Sequence, residues 1–168
     1  MGTKRVGLLR TQKLIESLKR EIQLNQTTLI GGLRKFQTKT ANYTCTADDS
    51  GTTILVNPDG ATALIQLPGV TEVEAGWNVT IIIDEQDGGT MDQKVNIGTK
   101  SGEFFNGFLI ASDGGGSVKA DPSSNDFITC STNSTCGEIF NIVNDGTYMH
   151  VTGNIVDADD TTFADAAG

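Results

Sequence analysis

From Thr40 onward the chain is written in short runs rich in Thr, Val and Ile, separated by Gly, Asn, Asp and Pro. Such runs read as strands at 41–47, 52–56, 62–67, 79–84, 93–97, 103–111, 127–131, 138–143 and 147–156. No stretch of helical periodicity lies between them, which excludes a βαβ-type parallel sheet and predicts an all-β body. The fold class expected is mainly β: an antiparallel sandwich, jelly-roll-like or barrel, with a helical arm ahead of it. Asn57-Pro58-Asp59-Gly60 combines a φ fixed by Pro with a Gly tolerant of positive φ, so 52–56 and 62–67 are expected to form a hairpin. Asn144-Asp145-Gly146 predicts a second hairpin, between 138–143 and 147–151. Trp77 reads as a core or sheet-end aromatic. Phe104, Phe105 and Phe108 are expected to divide between the two faces of one strand.

The first thirty-nine residues have another texture. RTQKLIESLKREIQL, residues 10–24, contains neither Gly nor Pro, and Leu8, Ile15, Leu18 and Ile22 recur at helical spacing. Glu16 precedes Arg20 by one helical turn, the favourable order for an ion pair. A helix of about fifteen residues is marginal alone in water, so its apolar stripe needs a surface. That surface could be its own β body, other copies of the helix, or a partner. The Gly31-Gly32 hinge and the basic stretch 34–39 favour docking on a neighbour.

Charge divides the same way. Residues 1–39 carry nine basic side chains against two acidic ones, a net +7. Residues 40–168 carry three against nineteen, a net −16, so the total of −9 conceals two opposed parts. The organisation expected is a basic arm at 1–39, an antiparallel β domain at 40–156 and an acidic tail at 157–168. A basic arm raises nucleic acid as a partner, but the arm has no aromatic residue before Phe36, and the body would be repelled by phosphate. Nucleic acid is therefore disfavoured. No apolar run approaches a membrane span, and no apolar core with a cleavage site marks a secretory signal, so neither a membrane nor the secretory route is expected.

Catalytic constellations fail in turn, and no enzyme is expected. His150 is the sole histidine and sits in an alternating strand with Tyr148 and Thr152 on its face. Neither a nucleophile elbow, a phosphate loop nor a zincin motif occurs. Cys45, Cys130 and Cys136 are too few and too scattered for zinc; Cys130 and Cys136 could bridge across a hairpin loop, though reduced thiols are the favoured reading. The acidic clusters at 84–88 and 157–160 lack the residue order of a calcium loop and read as solvated turns and tail. No metal or cofactor is expected.

The opening MGTKRVGLLRTQKLIESLKREIQL, followed by a Thr/Gly/Asp-rich β body, resembles virion structural proteins of tailed marine phages, notably those infecting cyanobacteria. The closing segment EIFNIVNDGTYMHVTGNI looks like the last strands of β domains in phage head-decoration and tail-fibre proteins. The resemblance implies a virion part made in the host cytoplasm. The expectation is a decoration or cement protein on the capsid exterior, bound to the major capsid protein and forming a homo-oligomer, with a trimer suiting local threefold symmetry. Its packing stripe would be Leu8, Ile15, Leu18 and Ile22, and its electrostatic contacts Arg5, Arg10, Lys13 and Arg20. The alternative is a tail-fibre or receptor-binding module that recognises host glycan.

Overall fold

In the computed structural model the chain divides into two compact units, Met1–Arg34 and Lys35–Gly168. The described residues are 11–13, 15–16, 35–84, 92–134 and 136–165. In the first unit, Thr11, Gln12, Lys13, Ile15 and Glu16 are helical and exposed.

The second unit is mainly β. Its strands are β1 (Lys35–Lys39), β2 (Tyr43–Thr44), β3 (Thr52–Val56), β4 (Ala63–Gln66), β5 (Asn78–Ile83) and β6 (Val95–Gly98). They continue with β7 (Phe105–Ala111), β8 (Ser117–Lys119), β9 (Phe127–Cys130), β10 (Ile139–Asn144), β11 (Met149–Ile155) and β12 (Thr161–Ala164). One 3₁₀ turn, Ala47–Asp49, lies between β2 and β3. A seven-stranded sheet has the order β1-β3-β5-β10-β11-β7-β8, and a five-stranded sheet the order β12-β9-β6-β4-β2.

Both sheets are mixed, which corrects the antiparallel expectation. The first six strands alternate between the sheets. β1, β3 and β5 run parallel in the large sheet, while β2, β4 and β6 run parallel in the small one. The chain thus winds in coils, each laying one strand in each sheet beside its predecessor. The later strands close the winding: β10 adds antiparallel to β5 and β11 antiparallel to β10, β9 adds antiparallel to β6 and β12 antiparallel to β9, and β7 joins β11 in parallel.

The expected hairpin at Asn57–Gly60 is not one, since β3 and β4 belong to different sheets. The loop stacks on the preceding coil: Asn57 N–H donates to the Lys39 carbonyl at 2.8 Å and Asp59 N–H to that of Thr40 at 3.0 Å. Those bonds carry the parallel ladder around a corner, where Gly60 supplies a φ of 71°. Turn residues alone do not tell a corner from a hairpin, because both need the same local bend. The second expected hairpin forms, with Asn144 paired to Met149 across the β10–β11 turn.

Three strands were not expected as such. β1 lies in the stretch read as basic arm, and β12 in the stretch read as acidic tail. β8, of three residues, follows the Gly114–Gly116 loop. No disulfide joins Cys130 to Cys136: Cys130 is a buried thiol engaged with Thr161 and Glu138.

Alternation along the strands builds the core. In the large sheet Ile54, Ile81, Phe140 and Leu109 lie along one inward row, and in the small sheet Ile65, Ile97 and Ile128 do the same. All of these have no exposed surface, each worth about 1.5–3 kcal/mol on burial. Both rows belong to one hydrophobic core, and Phe105 of β7 meets Phe163 of β12 within it, ring centroids 6.1 Å apart.

Candidate functional site

Of the side chains expected to bind a partner, Lys13 and Ile15 fall among the described residues. Both are exposed on a helical segment, and Ile15 keeps 49% of its surface open to solvent. Arg5, Leu8, Arg10, Leu18, Arg20 and Ile22 lie outside the described residues.

Within the β body, the polar side chains sort into clusters that hold its turns. Asp49, buried at the end of the 3₁₀ turn, accepts hydrogen bonds from Tyr43 Oη at 2.9 and 3.0 Å, from Thr46 N at 2.7 Å and Oγ1 at 3.1 Å, and from Gln37 Nε2 at 3.2 Å. Burial opposes ionisation of Asp49, yet these donors outweigh it and hold its carboxyl below the usual range. Burial, with the Asp49 carboxylate beside it, pushes the Tyr43 phenol up to about 12. Lys39 Nζ caps the Tyr43 ring, 3.5 Å from its centroid. The cluster ties β1, β2 and the 3₁₀ turn into the first coil.

A second cluster lies where β9, β10 and β12 meet. Glu138 Oε2 accepts from Thr161 Oγ1, whose oxygen is 3.1 Å from Ser134 Oγ. Burial raises the Glu138 carboxyl above its ordinary value and does the same to the Cys130 thiol. Burial also raises Cys45, to about 12, so neither buried thiol is a ready nucleophile at neutral pH.

His150 is partly exposed on β11. Its Nε2 lies 2.6 Å from Asp145 Oδ2 in the adjoining turn. Backbone N–H of Tyr148, then His150 and the N–H of Thr147, lower Asp145 to about 2. This pair fixes the hairpin; no nucleophile in the described structure accompanies it. Asp157 and Asp160 also act locally: Asp157 Oδ1 accepts Asp159 N–H, and Asp160 Oδ1 accepts Ser131 Oγ–H. Among the described residues no group of His, Cys, Asp and Glu is arranged to hold a metal ion. No helix among them is long and apolar enough to cross a membrane.

Trp77 is buried, with Nε1 donating to the Thr46 carbonyl at 3.0 Å. One edge of it helps line an open cleft of about 500 Å³, together with Ala47, Ser50, Glu72 and Glu74. Lys100 is paired with Glu72 at its rim.

The broadest surface feature is the outer face of the seven-stranded sheet. Register places Phe36, Thr53, Thr80, Asn141, Thr152 and Phe108 in one row across it, and Leu55, Ile82, Ile139 and Ile110 in the next. Phe36, Phe108, Ile110 and Val143, the large apolar side chains most exposed on the described body, all point this way, with 43–60% of their surface open. Sequence reasoning missed this face as a unit. The available signal was FNGFLIA in β7, which is apolar on both alternating sets of positions.

No protein-family model matches the chain, and no curated protein sequence matches it.

Proposed function

We propose that the chain is a head-decoration (cement) protein of a tailed phage. On this reading residues 1–34 form a basic arm with an amphipathic helix, and the arm anchors a β-sandwich body, which begins at β1, to the outer capsid lattice of major capsid protein. The observation that carries the reading is the charge division, which at the boundary before β1 is +5 in residues 1–34 against −14 in residues 35–168. A basic anchor meets acidic lattice surfaces, while acidic bodies stay soluble and repel one another between sites. Many weak contacts repeated by symmetry give firm attachment, and a homotrimer suits local threefold positions. No catalytic step is assigned.

The test is deletion of residues 1–24. The remaining chain should keep a β-type circular dichroism spectrum and a cooperative melt, yet fail to co-sediment with capsids. Retained capsid binding at physiological salt overturns the arm mechanism. Binding by the full chain should weaken as salt rises, since exposed charges are screened within about 8–10 Å at physiological ionic strength.

A tail-fibre or receptor-binding module is the second reading, favoured by the open cleft beside Trp77. It expects specific retention of the chain on a glycan array, with loss on Glu74→Ala.

A further inference from the structure

We infer that the outer face of the seven-stranded sheet is a self-association surface whose occupant is the same face of a second copy of this chain. The inference deepens the homo-oligomer element of the proposed function and rests on self-association alone; a contact between identical faces is two-fold, so it predicts a dimer rather than the homotrimer.

Two observations carry it. The first is the position of the exposed apolar side chains. Phe36, Phe108, Ile110 and Val143 project from one sheet face, backed by the half-buried Leu55, Ile82 and Ile139 of the same outward set. The five-stranded sheet has no counterpart: its outward Leu64 and Phe127 are half-buried, and the Phe127 ring lies over Gly98, where an added Cβ would come within 2.8 Å of it. The second is charge. Among the described residues, no Asp or Glu occupies an outward position of the large sheet, although residues 40–168 carry nineteen acids.

Charge selects the occupant. A basic partner would be recognised through carboxylates, and no strand position of this face supplies one; the nearest, Asp145 in the β10–β11 turn, is already paired with His150. A partner as acidic as the body itself can approach closely only where both surfaces lack acid, and a second copy meets that condition by construction. Two such faces stack as sheets do, about 10 Å apart. Seven strands at about 4.8 Å spacing make the face roughly 30 Å wide, and two or three outward positions per strand make it about 10–15 Å long. The area buried is at the lower end of specific interfaces, so association should be reversible and concentration-dependent.

The experiment is sedimentation velocity of the full chain across a hundred-fold concentration range, with no capsid present. The wild type should shift from monomer to oligomer. The double variant Phe108→Thr/Ile110→Thr, which keeps β-branched strand formers on an already exposed face, should need at least ten-fold higher concentration. Thr152→Asp, which adds a carboxylate at the centre of the face and removes no apolar contact, should weaken association at low salt and recover part of it at high salt. It also serves if the double variant fails to fold. Leu64→Thr on the other sheet should leave association unchanged.

A wild type that stays monomeric overturns both this inference and the homo-oligomer element of the proposed function. An oligomer indifferent to the face variants overturns this inference alone. If that oligomer is lost on deleting residues 1–34, the arm is the contact instead.

Discussion

Glu138 Oε2 accepts the hydroxyl hydrogen of Thr161 at 2.7 Å, with Glu138 at 1% exposure and Thr161 at none. The bond joins the start of β10 to the start of β12, and it is made by a carboxyl whose ionisation burial disfavours. Folding therefore favours the protonated form. This contribution to stability is fully present below the unfolded value of about 4.3 and is lost as pH rises through the raised folded value. Glu138→Gln keeps an acceptor for Thr161 and removes the charge. The variant should be more stable than wild type at pH 7 and nearly equal to it at pH 4. Urea midpoints at the two pH values check this; equal stability at pH 7 would show that Glu138 is not held against its ionisation.

Asp49 predicts the opposite dependence. Its hydrogen-bond donors outweigh burial and depress its carboxyl, so its contribution is present above the unfolded value of about 3.9 and is lost as pH falls through the lower folded value. Asp49→Ala leaves Tyr43 Oη and Thr46 N–H without their acceptor and should cost about 2–3 kcal/mol at pH 7. Chemical denaturation at pH 7 and pH 3 should show a smaller difference between variant and wild type at the lower pH.

These clusters mark the limit of what alternation reveals. The strands at 52–56, 79–84, 103–111 and 138–143 are legible because their apolar residues recur every second position and Gly, Asn or Pro bound them. Their partners are not, because pairing depends on where the chain goes between them. Asn57-Pro58-Asp59-Gly60 has the chemistry of a hairpin but bonds to Lys39 and Thr40 of the preceding coil, so a corner replaced a reversal. β1 was hidden by Lys35 and Lys39, whose charge suggested an arm, although Gln37 and Lys39 turn to the same side as Ile54 and Val56. The outer face was hidden for a related reason. Phe108 and Ile110 look like core until register shows Phe105 and Leu109 already filling the inward positions.

Gly107 is required by backbone approach. It adopts a φ of 149°, and a Cβ built on it would lie 1.8 Å from the Val151 carbonyl oxygen of the parallel neighbour β11. Gly107→Ala must therefore separate β7 from β11 or shift their register, at a cost of about 3 kcal/mol or more. The melting temperature should fall by more than 10 °C, whereas Gly51→Ala, strained in φ but with open space around it, should lose less. Equal losses at the two positions would assign the effect to dihedral strain rather than to strand packing.

Asn144 has no exposed surface at the end of β10, where its Nδ2 donates to the carbonyls of Val70 at 3.0 Å, Val73 at 3.2 Å and Glu74 at 3.4 Å. Its Oδ1 accepts Gly146 N–H at 2.8 Å, so one side chain closes the β10–β11 turn and pins the 70–74 loop to it. The main chain adds two bonds in the same place, Gly76 N–H to the Asn144 carbonyl and Asn144 N–H to that of Trp77. Asn144→Ala keeps those two and removes the rest, leaving buried carbonyls and one N–H to find water. The expected loss is about 2–4 kcal/mol, because an orphaned buried polar group costs more than its bond contributed. The damage should be local before it is global. Limited proteolysis should cut within residues 70–76 at denaturant concentrations where the wild-type loop resists, while amides of β3 and β5 retain their exchange protection. A variant within about 0.5 kcal/mol of wild type, with an unchanged cleavage pattern, would mean that the two main-chain bonds hold the loop without the side chain.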